Sequence, residues 1–136
     1  MRDSGYILKD AGLVAADAAG TVDSVAKVAD LGAGLVEGHM ICEITAFNVD
    51  DNDELYLIKL QGCDDESFTD TIEDLAILGV GAKETMIGTD TDSETGTYKV
   101  PFSNERNGTI YRYVRVYTDV TGTVGTGINY SAYLTK

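Results

Sequence analysis

Hydrophobic and polar residues alternate most regularly in residues 109–120, where the sequence reads TIYRYVRVYTDV. A period of two predicts a β-strand whose two faces have different surroundings, because successive side chains of a strand point to opposite sides. One face carries three apolar side chains and should face a core: Ile110, Val114 and Val116. The other face gathers aromatic rings and one cation: Tyr111, Tyr113, Arg115 and Tyr117. Arg112 interrupts the apolar face, and we expect the rest of the fold to be organised around this strand.

Other stretches repeat the alternating pattern and are separated by turn residues rather than by helical patterns. They are residues 24–31, 38–47, 55–61, 72–80, 97–102 and 128–134, with a short stretch at 84–87. About eight short strands without a strong helical segment predict an all-β fold, an antiparallel β-sandwich or a barrel. A chain of 136 residues is expected to form one domain with a core of its own.

The pattern also predicts which side chains of these strands face the core. In residues 24–31, Val28 is expected to point inward, with Ala26 as a second candidate. Elsewhere three sets each share one face: Met40, Cys42, Ile44 and Ala46; Tyr56, Ile58 and Leu60; and Ile128, Tyr130, Ala132 and Leu134.

Several turn and edge signals complete the expected layout. Residues 40–61 read as a hairpin around the acidic turn at residues 50–53. A bulge is expected near Gly79, and Phe68 is expected to anchor the polar segment 63–74 onto the core. Pro101 lacks an amide donor, so the strand at residues 97–102 should lie at a sheet edge.

The first 20 residues are less regular than the rest of the chain. We interpret residues 1–20 as an N-terminal arm, extended over residues 6–13, and residues 21–136 as the sandwich domain. A short helix over residues 11–19 is the alternative, because that segment is rich in alanine.

Composition narrows the range of partners and compartments. The net charge is −13, which argues against direct binding of nucleic acid, since such binding depends on clustered Lys and Arg. We expect no secretory signal and no membrane-spanning segment, because no apolar run is long enough. Cys42 and Cys63 could form a disulfide, but we expect both thiols to be reduced in a cytosolic folding environment.

Residues that could carry chemistry are few. His39 is the single histidine and has no nucleophile motif near it. Together with Cys42 and Cys63 it gives too few closely spaced ligands for a zinc site. Residues 50–54 and 90–94 place acidic or amide side chains at alternate positions but lack the glycine and glutamate of a calcium-binding EF-hand loop. We therefore predict that the protein has no catalytic residue, binds no metal and no cofactor, and is not an enzyme.

The tyrosine-rich side of residues 109–120 is the candidate functional surface, since Tyr and Arg are enriched at protein interfaces. The alternatives are that its rings cover a sheet face within the same chain, or that they bind carbohydrate. With the expected N-terminal arm, the predicted interface residues are Tyr6, Ile7, Leu8, Tyr111, Tyr113, Arg115 and Tyr117.

Three passages give the chain a likeness to a known group of proteins. They are VADLGAG at residues 28–34, LIKLQGCDDESF at 57–68, and RYVRVY at 112–117 with the Thr/Gly turn and final strand that follow. In these passages, and over most of residues 20–136, the chain resembles the capsid cement (decoration) proteins of short-tailed bacteriophages. The acidic segments 50–54 and 89–96 depart from the family pattern.

The resemblance implies a jelly-roll-like β-sandwich that acts as a structural virion protein. Such a protein forms a homotrimer on the outer surface of the phage head, where it stabilises the lattice of the major capsid protein. It is made in the host cytoplasm and contacts neither nucleic acid nor membrane. The competing expectation is a carbohydrate- or receptor-binding β-sandwich module of a virion fibre or surface, using the tyrosine-rich side.

Overall fold

The computed structural model describes residues 6–49, 52–82 and 93–135 and shows an all-β sandwich, as predicted. These ranges contain no α-helix. Seven strands have eight residues or more: β1 (Ile7–Val14), β6 (Glu37–Phe47), β7 (Leu55–Cys63), β8 (Glu73–Gly81), β9 (Gly96–Ser103), β12 (Tyr113–Thr121) and β13 (Ile128–Thr135). Six have two residues: β2 (Ala18–Ala19), β3 (Thr21–Val22), β4 (Val25–Ala26), β5 (Ala29–Asp30), β10 (Glu105–Arg106) and β11 (Thr109–Ile110).

Two antiparallel sheets make the two layers. The β13 sheet has the strand order β1-β13-β6-β9. The β12 sheet has the order β2-β12-β7-β8, and β5 also pairs with β12. The short pairs β3-β4 and β10-β11 lie outside these layers. The jelly-roll connectivity stays a prediction.

The core lies between the sheets and is built by the alternating runs that the sequence shows. The predicted inward sets of β7 and β13 are buried without exception: Tyr56, Ile58, Leu60, Ile128, Tyr130, Ala132 and Leu134. The Tyr130 hydroxyl shares a 2.5 Å hydrogen bond with Thr118 Oγ1 on the opposite sheet. Burial raises the pKa of Tyr130 above its ordinary value. Two layers of period-two strands thus enclose one apolar interior with a satisfied polar pair inside it.

The predicted hairpin of residues 40–61 is wrong. Strand β6 belongs to the β13 sheet and β7 to the β12 sheet, so the connection between them crosses the sandwich. Residues 50 and 51 of the predicted turn lie outside the described residues. The apolar faces of the two strands therefore meet across the core, as the edge-to-face contact between Phe47 and Tyr56 shows with ring centroids 6.3 Å apart.

Bulges explain where the predicted inward positions shift. In β6, Ile44 pairs with Tyr130 and Ala46 with Asn129, so one extra residue enters the strand between them. Met40, Cys42 and Ile44 are buried as predicted, but Ala46 is exposed and Phe47 packs against the core. A bulge changes the face on which every following side chain lies.

Two more local predictions are corrected in the same way. The irregularity of β8 lies at Leu75, opposite the step from Leu60 to Gln61, and not near Gly79. Residues 24–31 form the separate short strands β4 and β5 instead of one strand. The buried side chains of this segment are Ala29 in β5 and Leu31 directly after it, whereas Ala26 is exposed and Val28 is half-buried.

The edge position predicted for Pro101 is confirmed. Strand β9 is the outermost strand of the β13 sheet, and Pro101 pairs with His39 of β6. The predicted short strand at residues 84–87 lies outside the described residues.

The N-terminal segment differs from the predicted arm. Residues 7–14 are extended, as predicted, but they pair with β13 of the same chain, and the Leu8 side chain is 0% exposed in the core. Lys9 fastens the strand further, since its Nζ donates to the carbonyl oxygens of Tyr130 at 2.6 Å, Gly12 at 3.0 Å and Asp10 at 3.1 Å. Burial lowers the pKa of Lys9. From Tyr6 onward this segment is part of the sandwich, and the alternative of a helix over residues 11–19 is wrong.

Candidate docking surface

The outward side of the β12 sheet carries the densest arrangement of arginine and aromatic side chains in the described residues. Tyr113, Arg115 and Tyr117 alternate along β12 with the buried Val114 and Val116. Arg112 precedes the strand and is exposed. We call the four outward residues Arg112, Tyr113, Arg115 and Tyr117 the arginine–tyrosine face.

Arg115 is the centre of this face because neighbours on three elements fix its guanidinium group. Its Nε donates to Oε1 of Gln61, its partner on β7, at 3.0 Å. The guanidinium carbon lies 4.4 Å from the ring centroid of Phe68 and 5.3 Å from that of Tyr117. Gln61 is held in turn by its Nε2, which donates to Asp74 Oδ1 of β8 at 3.3 Å. Cation–π contacts of this kind contribute about 0.5–2 kcal/mol each, so Arg115 is presented in one orientation.

The sequence predicts that Phe68 anchors the segment 63–74 onto the core. In the structure its ring instead lies on the outer side of the β12 sheet, against Arg115. Its backbone has φ of +54°. Asp65 holds the loop in this shape: its Oδ1 accepts bonds from the Ser67 amide at 3.1 Å and the Ser67 hydroxyl at 2.8 Å, and its Oδ2 accepts from the Thr69 hydroxyl. These bonds, first that from Thr69, lower the pKa of Asp65.

Arg112 is tied to the neighbouring strand β5 by a two-pronged ion pair. Its Nε and Nη2 donate to Oδ1 and Oδ2 of Asp30 at 2.8 and 2.9 Å, and its guanidinium carbon lies 5.3 Å from the Tyr113 ring centroid. The Gly32 amide also donates to Asp30 Oδ1, at 2.9 Å. The bonds from Arg112 and then from Gly32 lower the pKa of Asp30 to about 2.

This ion pair predicts a specific loss of stability in acid. Because the pKa of Asp30 is lower in the folded than in the unfolded protein, the pair stabilises the fold above about pH 4, and its contribution disappears as the pH falls to about 2. The stability difference between the wild type and Asp30→Asn, measured by urea unfolding, should therefore be present at pH 6 and shrink towards zero near pH 2. Asp23→Asn, at an exposed turn, is the control; a difference for Asp30→Asn that is the same at both pH values would contradict the expectation.

Lys59 lies on the same side of the β12 sheet and pairs with two acidic side chains. Its Nζ lies 3.6 Å from Asp74 Oδ2 and 3.4 Å from Asp119 Oδ2. The surface is thus neither strongly acidic, as the chain is overall, nor strongly basic. What the surface presents to solvent is a set of half-buried tyrosine rings and arginine guanidinium groups in fixed positions.

The structure divides the predicted interface residues into three groups. Tyr113, Arg115 and Tyr117 lie together as predicted. Tyr111 is 8% exposed and belongs to the core, because the alternation is broken between Tyr111 and Val114. The N-terminal set, Tyr6, Ile7 and Leu8, lies on the β13 sheet side, where Tyr6 packs against the core and Ile7 pairs with Tyr133.

Sequence reasoning missed the supporting residues of this face. Gln61 and Asp30 reach it only through strand pairing, which a linear pattern does not reveal. Phe68 had a local signal, because the surrounding Asp65-x-Ser67-x-Thr69 spacing favours a side-chain-bonded turn that can expose or fold down one apolar residue.

The other candidate residues do not assemble into a site in the described part of the chain. No group of three His, Cys, Asp or Glu side chains is placed there to hold a metal ion. Both cysteines are buried and free, and burial raises the pKa of Cys42 to about 12. Asp53 binds the backbone and hydroxyl of Thr123, while residues 90 and 92 of the second acidic segment are outside the described residues.

Within residues 6–49, 52–82 and 93–135 we find no helix with the length and apolar character needed to cross a bilayer. Neither a scan of protein-family models nor a search of curated proteins returns a match for this chain.

Proposed function

We propose that this protein is a structural virion protein, a cement or decoration protein that binds the outside of a phage head and stabilises the major capsid protein lattice. The observation that carries the proposal is the arginine–tyrosine face, in which Arg115 is fixed between Phe68 and Tyr117 by ring contacts and by Gln61. The sequence resemblance to phage cement proteins supplies the identity of the partner.

The physical argument for docking is pre-organisation. Tyrosine and arginine side chains dominate binding energy at protein interfaces, and a side chain that is already fixed loses little entropy on binding. On this face Arg112 and Arg115 are both held by hydrogen bonds and lie over rings. These two guanidinium groups therefore need little further ordering when the face meets a protein surface.

A homotrimer would strengthen the attachment. Three copies of a weak contact, presented together, act at a high effective concentration and can exceed the affinity of one copy by about 10²–10⁴-fold. A jelly-roll connectivity and assembly as a trimer on the capsid exterior belong to this proposal. Size-exclusion chromatography with light scattering should give three times the mass of the 136-residue chain.

The direct test removes the centre of the face. Arg115→Ala is expected to weaken binding to undecorated phage heads by about 30-fold, corresponding to about 2 kcal/mol for one central interface residue. Co-sedimentation of the protein with heads at increasing concentration measures this loss, and circular dichroism checks that the fold is retained.

Lys99→Ala is the matched control, since it removes an exposed cation from β9 on the other sheet. Equal binding by Arg115→Ala and the wild type would reject this face as the docking surface. Binding of the isolated protein to a glycan array that is lost in Tyr113→Ala would instead favour the carbohydrate-binding alternative.

A further inference from the structure

The loop of residues 64–72, which joins β7 to β8, has one side chain that is buried among exposed or half-exposed neighbours. That side chain is Phe68, which is 9% exposed. We call this loop the strap. The Phe68 ring lies against Arg115, which belongs to the arginine–tyrosine face, so the strap covers part of the surface proposed for docking.

Side-chain contacts favour the closed strap, and backbone strain opposes it. Burial of the Phe68 ring and its contact with Arg115 favour closure. Against them stands the backbone of Phe68, whose φ of +54° is an unusual and strained value for a bulky side chain. The bonds that hold the turn centre on Asp65: the Phe68 amide donates to the Asp65 carbonyl at 2.9 Å, and Ser67 and Thr69 donate to its carboxylate. All of these bonds lie within five consecutive residues, so the strap can open without disturbing either sheet.

We propose that the strap is a removable cover of the docking surface. In the free protein the Phe68 ring fills the place beside Arg115; on docking the strap opens, and an aromatic side chain of the protein partner takes that place. The chemistry of the place supports this occupant, because a guanidinium group fixed by Gln61 already accepts a ring at 4.4 Å. The backbone strain at Phe68 favours this replacement, since the strain is relieved when the Phe68 ring leaves its place. This inference rests on the proposed function for the identity of the partner, but the opening itself does not.

The first experiment measures opening in the free protein by native-state amide hydrogen exchange. Asp65→Asn replaces a carboxylate that accepts several bonds by an amide of nearly the same shape. We expect it to accelerate exchange of the Ser67 and Phe68 amides by about 10-fold or more, while the amide of Val116 is unchanged. Asp70→Asn is the matched control, because Asp70 lies in the same strap but accepts only the Thr71 amide among the described bonds. If the Ser67 and Phe68 amides of the wild-type protein exchange only as fast as the amide of Val116 in the core, the strap does not open on its own, and the proposal is overturned.

The second experiment measures binding to undecorated heads. If the strap is a cover, Asp65→Asn should bind several-fold more tightly than the wild type, and Asp70→Asn should bind as the wild type does. Equal or weaker binding by Asp65→Asn would overturn the role as a cover. Failure of the wild-type protein to bind heads at all would reject the proposed function, and hydrogen exchange would then decide the opening of the strap on its own.

Discussion

Replacing Asn104 by alanine is expected to lower the free energy of unfolding by about 2–3 kcal/mol, because it removes the partner of one buried and two part-buried backbone groups, at about 1–3 kcal/mol for the buried one and less for the others. Asn104 is 0% exposed. Its Nδ2 donates to the carbonyl oxygens of Gly34 and Tyr111, both at 3.1 Å, and its Oδ1 accepts the Val36 amide at 2.8 Å. One side chain thus joins the loop before β6 to the segment that leads into β12.

Urea unfolding followed by circular dichroism measures this effect. Ser103→Ala is the control, because the neighbouring serine makes an exposed 3.2 Å bond to the Glu105 amide and its loss should change stability by less than about 1 kcal/mol. A similarly small change for Asn104→Ala would show that the loop before β6 does not depend on this side chain.

Gly127→Ala is expected to destabilise the protein by about 3 kcal/mol or more through backbone strain and a steric clash. Gly127 has φ of +101°, a region that only glycine adopts readily, and an added Cβ would lie 2.2 Å from the Val14 carbonyl oxygen. The obstacle is backbone of β1, so it cannot move aside as a flexible side chain would. The Gly127 carbonyl also accepts the Asn48 amide at 3.1 Å, so the strain would spread to the segment after β6.

Gly125 provides a control in the same loop. An added Cβ there meets nothing within 4 Å, so Gly125→Ala should leave the thermal unfolding midpoint within a few degrees of the wild type. A midpoint for Gly127→Ala that matches that of Gly125→Ala would contradict the clash.

Strand faces were predictable from the sequence where no bulge intervened. Every inward position that the alternation predicts in β7 and β13 is buried. In β7 the alternation ends after Leu60, because Gln61, Gly62 and Cys63 are all buried as well. The same alternation does not tell which sheet a strand joins, and so it predicts one hairpin for β6 and β7, although these strands face each other across the core. Bulges at Thr45 and Leu75 were invisible for a related reason, since they depend on the partner strand.

The candidate surface could be predicted only where it follows one strand. Tyr113, Arg115 and Tyr117 are consecutive outward residues of β12, so a period of two finds them. Tyr111 fits the same period but turns into the core, where its backbone exchanges hydrogen bonds with Asn104. Gln61, Asp30 and Phe68 come from other elements, and their contacts depend on strand register and on the turn at Asp65.

The position of β13 between β1 and β6 has a consequence for biosynthesis. During translation, β1 emerges more than a hundred residues before the strand with which it pairs, so its apolar side chains must wait without a neighbour until residues 128–135 leave the ribosome. Pairing over such a separation is slow, since the entropy of closing the long intervening segment is lost before the contacts form. Nascent chains stalled upstream of β13 should therefore be protease-sensitive and recruit chaperones, whereas chains stalled well beyond it should resist digestion.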